Sequence, residues 1–283
     1  MTHQDYYHIE RFSPDELMKM QISIMDYAKP INGLPKHHSE VFSKRGWMLP
    51  FLFGYDDLLW GRWNYWFDII EKGTIEGSGP IPKIKWSQDY QGIEHTRKMI
   101  RKCLDHYDST IDKFADWLTW ALAIDKETTI DHISPELNEH YYRHFDLFLV
   151  LNYPTDYLSY ALSEETGKGY KEALGYFPTP FNLSVAMVEM LKSDDEEAMK
   201  RQTIGEPSVG CGSILLAASN YFLRCFAQDI SRIAIRLCRI QMYWYAPWFA
   251  YHPDTIQGFD QDNIVSIRPV HQGEEESQLV FVL

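Results

Sequence analysis

The octapeptide Glu206-Pro207-Ser208-Val209-Gly210-Cys211-Gly212-Ser213 carries the densest chemistry in this chain. Two glycines one residue apart, between an apolar run and a helical pattern, let the backbone approach a ligand with no Cβ in the way. A carboxylate just ahead of the turn, Glu206, suits a ligand ammonium group. Taken alone, the glycine pair fits an ordinary tight turn equally well. Seventeen residues after Gly212, Asp229 follows the strand-like run Leu223-Arg224-Cys225-Phe226-Ala227. An acidic side chain at the tip of a second strand suits the two hydroxyls of a ribose. The same carboxylate would also cap a helix starting near Ser231, and the two roles are compatible.

A third segment lies upstream. Gly175-Tyr176-Phe177-Pro178-Thr179-Pro180 precedes the helical run Phe181 to Leu191. Thr179 fits the capping position and Pro180 the first helical position. In isolation this is only a helix start.

The ordered set is more specific than its parts. Gly175 to Pro180, then Glu206-Pro207-x-x-Gly210-x-Gly212, then Ala227-Gln228-Asp229-Ile230, resembles the N6-adenine DNA methyltransferases. It looks most like the modification subunits of type I restriction systems and their relatives on mobile elements. The resemblance covers residues 145–262, and more loosely a helical leader around Phe114 to Leu118 and Tyr153 to Leu158. It implies S-adenosyl-L-methionine as cofactor. By the resemblance, the Phe177 backbone, Thr179 and Pro180 run along the methionine end. Glu206, Pro207, Gly210 and Gly212 wrap it, Asp229 holds the ribose, and Ile230 packs on the adenine face. Asp260, in Gly258-Phe259-Asp260, approaches the adenine N6.

The same family performs its chemistry with an Asp or Asn, two prolines and an aromatic residue, which hold a flipped adenine. The sequence contains no Pro-Pro dipeptide. Ala246-Pro247-Trp248-Phe249 lacks the polar first residue and one proline, and it precedes the expected third strand. The chain ends inside the expected fourth strand, and no target-recognition segment is evident. The chain by itself is therefore expected to bind the cofactor without catalysing transfer, as a regulatory, decoy or partner subunit. The alternatives are an active enzyme, either split between chains or a fragment of a longer one, and an acidic interaction protein with a vestigial pocket.

These residues need elements to hold them. Ser13-Pro14-Asp15-Glu16 reads as a helix start. Apolar residues recur at three- and four-residue steps from Ile93 to Leu122, and further helices are expected over Pro135–Leu151 and Thr155–Ser163. Beyond Gly167-Lys168-Gly169 the pattern alternates: strands at Thr203–Gly205, Leu223–Ala227, Thr255–Gln257 and Leu279–Leu283, with helices at Ser213–Phe222 and Ser231–Tyr245. Such alternation argues for a parallel sheet. The expected class is α/β, with a mainly helical N-terminal domain over residues 1–165 and a partial Rossmann-like, methyltransferase-type sheet over 166–283.

Composition narrows the partners. With a net charge of −13, the chain lacks the basic footprint of a protein that holds DNA alone. DNA contact is expected only through a protein partner: a methyltransferase or specificity-type subunit, or a second copy. The four cysteines, Cys103, Cys211, Cys225 and Cys238, form no CxxC pair, so no disulfide framework or zinc site is expected. No signal peptide and no uncharged run of about 20 residues is present, so a cytoplasmic protein with no membrane segment is expected. His37-His38 is read as a solvated loop rather than a metal site. The aromatic block from Gly46 to Phe67 is read as core.

Overall fold

The computed structural model describes residues 6–165, 177–251, 253 and 256, and the backbone of 267–269. Helices dominate the first part: α1 (Pro14–Tyr27), α2 (Leu49–Leu59), α3 (Arg62–Lys72), α4 (Tyr90–Leu104), α5 (Ile111–Ala121), α6 (Pro135–His144), α7 (Leu147–Asn152) and α8 (Leu158–Glu165). Several starts have a side-chain cap. Ser13 and Glu16 form a reciprocal capping box on α1, with Pro14 in its first turn.

Two long helical patterns each break in two. Ile93–Leu122 divides at Asp105–Thr110, where the Thr110 hydroxyl accepts the Lys113 amide at 3.2 Å and starts α5 afresh. Pro135–Leu151 divides at Phe145-Asp146, where the Asp146 carboxylate caps α7 through the Leu149 amide. The periodicity is right on both sides of each break, because a cap restarts the helix without changing which residues are apolar. Similarly, Thr155 to Tyr157 stay outside α8.

The second part carries α9 (Phe181–Leu191), α10 (Glu196–Arg201), β1 (Thr203–Glu206), α11 (Ser213–Ala218), β2 (Arg224–Asp229), α12 (Arg232–Tyr245) and β3 (Ile267–Pro269). The three short strands are parallel in the order β1-β2-β3. The third strand among the described residues is Ile267–Pro269; of the expected strand Thr255–Gln257 only Ile256 is described. Ile256 is buried outside any strand, because its apolar side chain joins the core rather than a ladder. Thr255, Gln257 and Leu279–Leu283 lie outside the described residues. The molecule is accordingly mostly helical, with a small parallel sheet.

Register fixes the two faces of that sheet. Gly205 pairs with Phe226 and Thr203 with Arg224, while Ile204 pairs with Cys225 and Glu206 with Ala227. Cys225 and Ala227 are buried in the core; Phe226 is 46% exposed on the opposite face, and Thr203 and Gly205 are exposed beside it.

One apolar core runs through both parts. Trp47, Trp63, Trp66, Phe114, Trp117 and Tyr141 belong to the same buried cluster as Leu215, Leu237, Trp244 and Trp248. Indole hydrogen bonds pin the two parts together: Trp63 Nε1 donates to Tyr243 O at 3.0 Å and Trp66 Nε1 to Tyr251 O at 2.8 Å. The aromatic block is core, as its composition suggested. Arg62 is fully buried beneath it, with its guanidinium 4.3 Å from the Trp248 ring and bonded to Ser219. Pro247–Ala250 forms one buried helical turn, so Ala246-Pro247-Trp248-Phe249 is packing rather than a catalytic loop. Among the described residues no helix is long and apolar enough to cross a membrane.

Candidate functional site at the carboxyl ends of the first two strands

β1 and β2 run parallel; β1 ends at Glu206, which pairs with Ala227, and β2 runs two residues further to Asp229. The chain leaves β1 through Pro207 and Ser208, and the Glu206 carboxylate accepts the Ser208 amide at 3.0 Å. Val209 N then donates to Gln228 O at 3.0 Å, holding the turn against the end of β2. Gly210 and Gly212 both take positive φ, 54° and 96°.

The two glycines do different work. Gly210 faces the cleft, and its amide donates to Asp229 Oδ2 at 2.8 Å. Gly212 does not line the cleft. A Cβ there would meet Met242 Cε at 2.7 Å and Cys238 Sγ at 2.8 Å. Its missing side chain therefore lets α12 close on the turn.

Asp229 uses both carboxylate oxygens. Oδ2 takes the Gly210 amide, and Oδ1 takes the Ser231 amide at 2.8 Å. Ser231 itself caps α12, its hydroxyl accepting the Ala234 amide at 3.3 Å. Asp229 thus braces the entry to the helix without being its cap. Each carboxylate oxygen has acceptor capacity beyond these bonds, and Asp229 lines the cleft.

The resulting cavity has a volume of about 580 Å³. Phe177, Thr179, Glu206, Pro207, Gly210, Asp229 and Ile230 all line it. Pro180 does not; it lies in a neighbouring cavity of about 830 Å³ whose wall includes Trp86, Tyr160 and Phe181 and shares Ser159, Pro178 and Thr179 with the first. The residue before α9 is Pro180 rather than Thr179, and it makes no side-chain cap bond, while Thr179 lines both cavities. Gly175, Tyr176 and Asp260 lie outside the described residues.

Beneath the cleft sits a polar network that the motifs did not identify. Gln241 is fully buried on α12. Its Nε2 donates to Asp156 Oδ1 at 2.9 Å and to Cys211 O at 2.7 Å, and its Oε1 accepts the Tyr157 and Leu158 amides at 3.0 and 3.2 Å. Burial pushes the Asp156 carboxyl above its usual range, against the lowering by its hydrogen bonds. The segment Tyr153–Leu158 is therefore tied to the glycine turn, and Ser159 reaches the cleft wall. Ser213 joins as well, its hydroxyl 2.8 Å from that of Ser184 on α9. A polar residue in the otherwise apolar stripe of α12 was the available signal for Gln241.

Cys211, Cys225 and Cys238 are buried and reduced, and burial pushes the Cys238 thiol well up. Among the described residues no group of His, Cys, Asp and Glu is arranged to hold a metal ion. His38 instead faces Glu139, Nε2 to Oε2 3.5 Å, and His37 accepts the Ser39 amide.

No protein-family model, no curated protein and no solved structure matches this chain.

Proposed function

We propose that the cleft binds S-adenosyl-L-methionine, and that the chain is a cofactor-binding member of the N6-adenine DNA methyltransferase group that does not catalyse transfer alone. One observation carries this reading. Phe177 and Thr179, Glu206 to Gly210, and Asp229 with Ile230 come from three separate stretches of sequence and meet in a single cavity. Its volume falls within the roughly 300–1,000 Å³ of small-molecule sites. Asp229 has lone pairs for the ribose hydroxyls, Glu206 offers charge for the ammonium group, and exposed Ile230 offers an apolar face for the adenine. Among the described residues that line the cavity there is no Asp/Asn-Pro-Pro-aromatic run of the kind that holds a flipped base. Titration calorimetry with S-adenosylmethionine is the test. Heat fitting one site per chain is expected; no heat and no thermal shift at millimolar cofactor would sink the reading and leave a vestigial pocket.

A second reading, an active enzyme completed by another polypeptide, is favoured by the sheet. All-parallel sheets are normally covered on both faces. Here Thr203, Gly205 and Phe226 lie open on one face, and β1 has an unpaired edge among the described residues. A second chain bringing a strand and helices would cover both and would carry the catalytic prolines. The check is tandem purification of wild type and Phe226→Glu. A protein bearing Asp/Asn-Pro-Pro-aromatic should be held by wild type and lost from the variant; if no retained protein bears it, the split-enzyme reading fails.

A further inference from the structure

The cavity beside the cofactor cleft is the larger of the two, at about 830 Å³. Four aromatic side chains line it: Trp86, Tyr90, Tyr160 and Phe181. Trp86 is fixed before any ligand arrives. It makes T-shaped contacts with Phe181, centroids 5.0 Å apart, and with Tyr245, 5.8 Å apart. The backbone beneath it is held as well. Ile84 N and O both bond the Asn220 side chain at 2.9 Å, and Ser87 N donates to Pro154 O at 2.8 Å. Rings held in this way offer contact area to a flat ligand at little ordering cost.

Charge narrows the ligand. Among the described residues of the wall, Arg97 is the only cation. Its guanidinium lies over the Tyr160 ring, 4.2 Å from the centroid, which orients the planar fork. Nη1 donates to Glu94 Oε1 at 2.7 Å; Glu94 also faces Arg101 Nη2 at 3.4 Å, and Arg101 Nε faces Glu164 at 3.6 Å. Of those four charged groups, Arg97 alone lines the cavity. Asp156 lines it too, but its Oδ1 already accepts the Ser159 amide at 3.1 Å and Gln241 Nε2 at 2.9 Å. Burial raises the Asp156 carboxyl above its usual range, which lessens its charge. The wall therefore favours a ligand with a single negative group, and a carboxylate matches the guanidinium fork in shape. A nucleic-acid strand would bring a phosphate with every nucleotide against one cation, in a chain of net charge −13.

We propose that this cavity is a second ligand site, which takes a planar aromatic carboxylate with its rings among Trp86, Tyr160 and Phe181 and its carboxylate on Arg97. The site goes beyond the cofactor reading and does not depend on it. Arg97 and Asn182 line this cavity and not the first, so variants at either position report on it alone.

Saturation-transfer NMR titration of the full chain with 2-naphthoate, in the absence of S-adenosylmethionine, tests it. A single saturable site is expected, with a dissociation constant of about millimolar or below. 2-Naphthamide, which keeps the rings and lacks the charge, should bind about tenfold more weakly. Arg97→Gln should weaken 2-naphthoate by about tenfold and leave the amide within about twofold, and Arg97→Lys should recover part of the loss. Asn182→Trp, at an exposed position on the wall, should fill the cavity and weaken both ligands by at least about tenfold. Circular dichroism of each variant separates lost binding from lost fold. No saturation up to about 10 mM probe overturns the proposal. So does equal affinity for the acid and the amide, or binding that survives both Arg97→Gln and Asn182→Trp, which would put the probe on an exposed apolar face elsewhere. Displacement of the probe by a short single-stranded oligonucleotide overturns it too, in favour of a nucleobase pocket.

Discussion

The Gly210 amide donates to Asp229 Oδ2 at 2.8 Å across nineteen residues of chain. That bond joins the end of β2 to the turn that follows β1, and the other oxygen of the same carboxylate holds the entry to α12. A ligand reaching Asp229 therefore meets a side chain already fixed in direction.

Asp229→Ala should affect stability and binding separately. Two amides lose their acceptor, which costs about 1–3 kcal/mol, read as a shift in the urea midpoint at constant slope. Cofactor affinity, measured by calorimetry on the fraction still folded, should fall by at least about tenfold. Asp229→Asn keeps one acceptor oxygen and should fall between. Unchanged affinity in the alanine variant would remove Asp229 from the binding assignment.

Gly212→Ala should destabilise the protein by about 1–3 kcal/mol, because φ of 96° strains an L residue and the new methyl collides with Met242 and Cys238. Cys238→Ala in the same chain should recover part of that loss by opening room at Sγ. Chemical denaturation of the single and double variants decides it. Equal costs with and without Cys238 would show that backbone strain, not α12 packing, demands the glycine.

Gln241→Leu should be among the most damaging single changes, at about 3 kcal/mol or more. It strips partners from Asp156, Cys211 O and the Tyr157 and Leu158 amides, all in a buried setting. Thermal unfolding reads the cost. Hydrogen exchange should show the loosening first at Tyr157 and Leu158, and protection unchanged there would refute the role given to Gln241.

Asp56 predicts an unusual pH dependence. Burial raises its carboxyl from 3.8 to about 7, although the Trp63 amide, 2.7 Å away, and nearby Arg62 favour the charged form. The folded state therefore holds this proton more tightly than the unfolded state. Its contribution to stability is complete below about pH 4 and is lost as pH rises through about 7. Asp56→Asn should flatten that decline between pH 5 and 7.5 while keeping an acceptor for the Trp63 amide. Parallel pH profiles of the melting temperature for wild type and variant would contradict the assignment.

Local chemistry made much of this molecule readable from sequence. Ser13, Pro14 and Glu16 announce α1, the Phe181–Leu191 pattern matches α9 residue for residue, and Gly210 with Asp229 marks the strand ends. These signals act within a few residues, where capping, helical period and turn geometry are decided. The breaks at Asp105–Thr110 and Phe145-Asp146 were invisible because apolar spacing continues across them. Ile256, expected in a strand, lies in none, because an apolar residue serves a core as well as a ladder.

The sequence by itself determined which residues could make a turn, a cap or an acidic strand tip, since those roles follow from side-chain type and backbone freedom. Only the tertiary structure decided which of them face one cavity. It placed Phe177, Thr179, Glu206 and Asp229 together and turned Gly212 toward Cys238 and Met242. It also set Gln241 beneath them as the hub joining Asp156 to Cys211. Those assignments depend on how strands and helices pack across long stretches of chain, and no local spacing encodes the direction in which a packed side chain points.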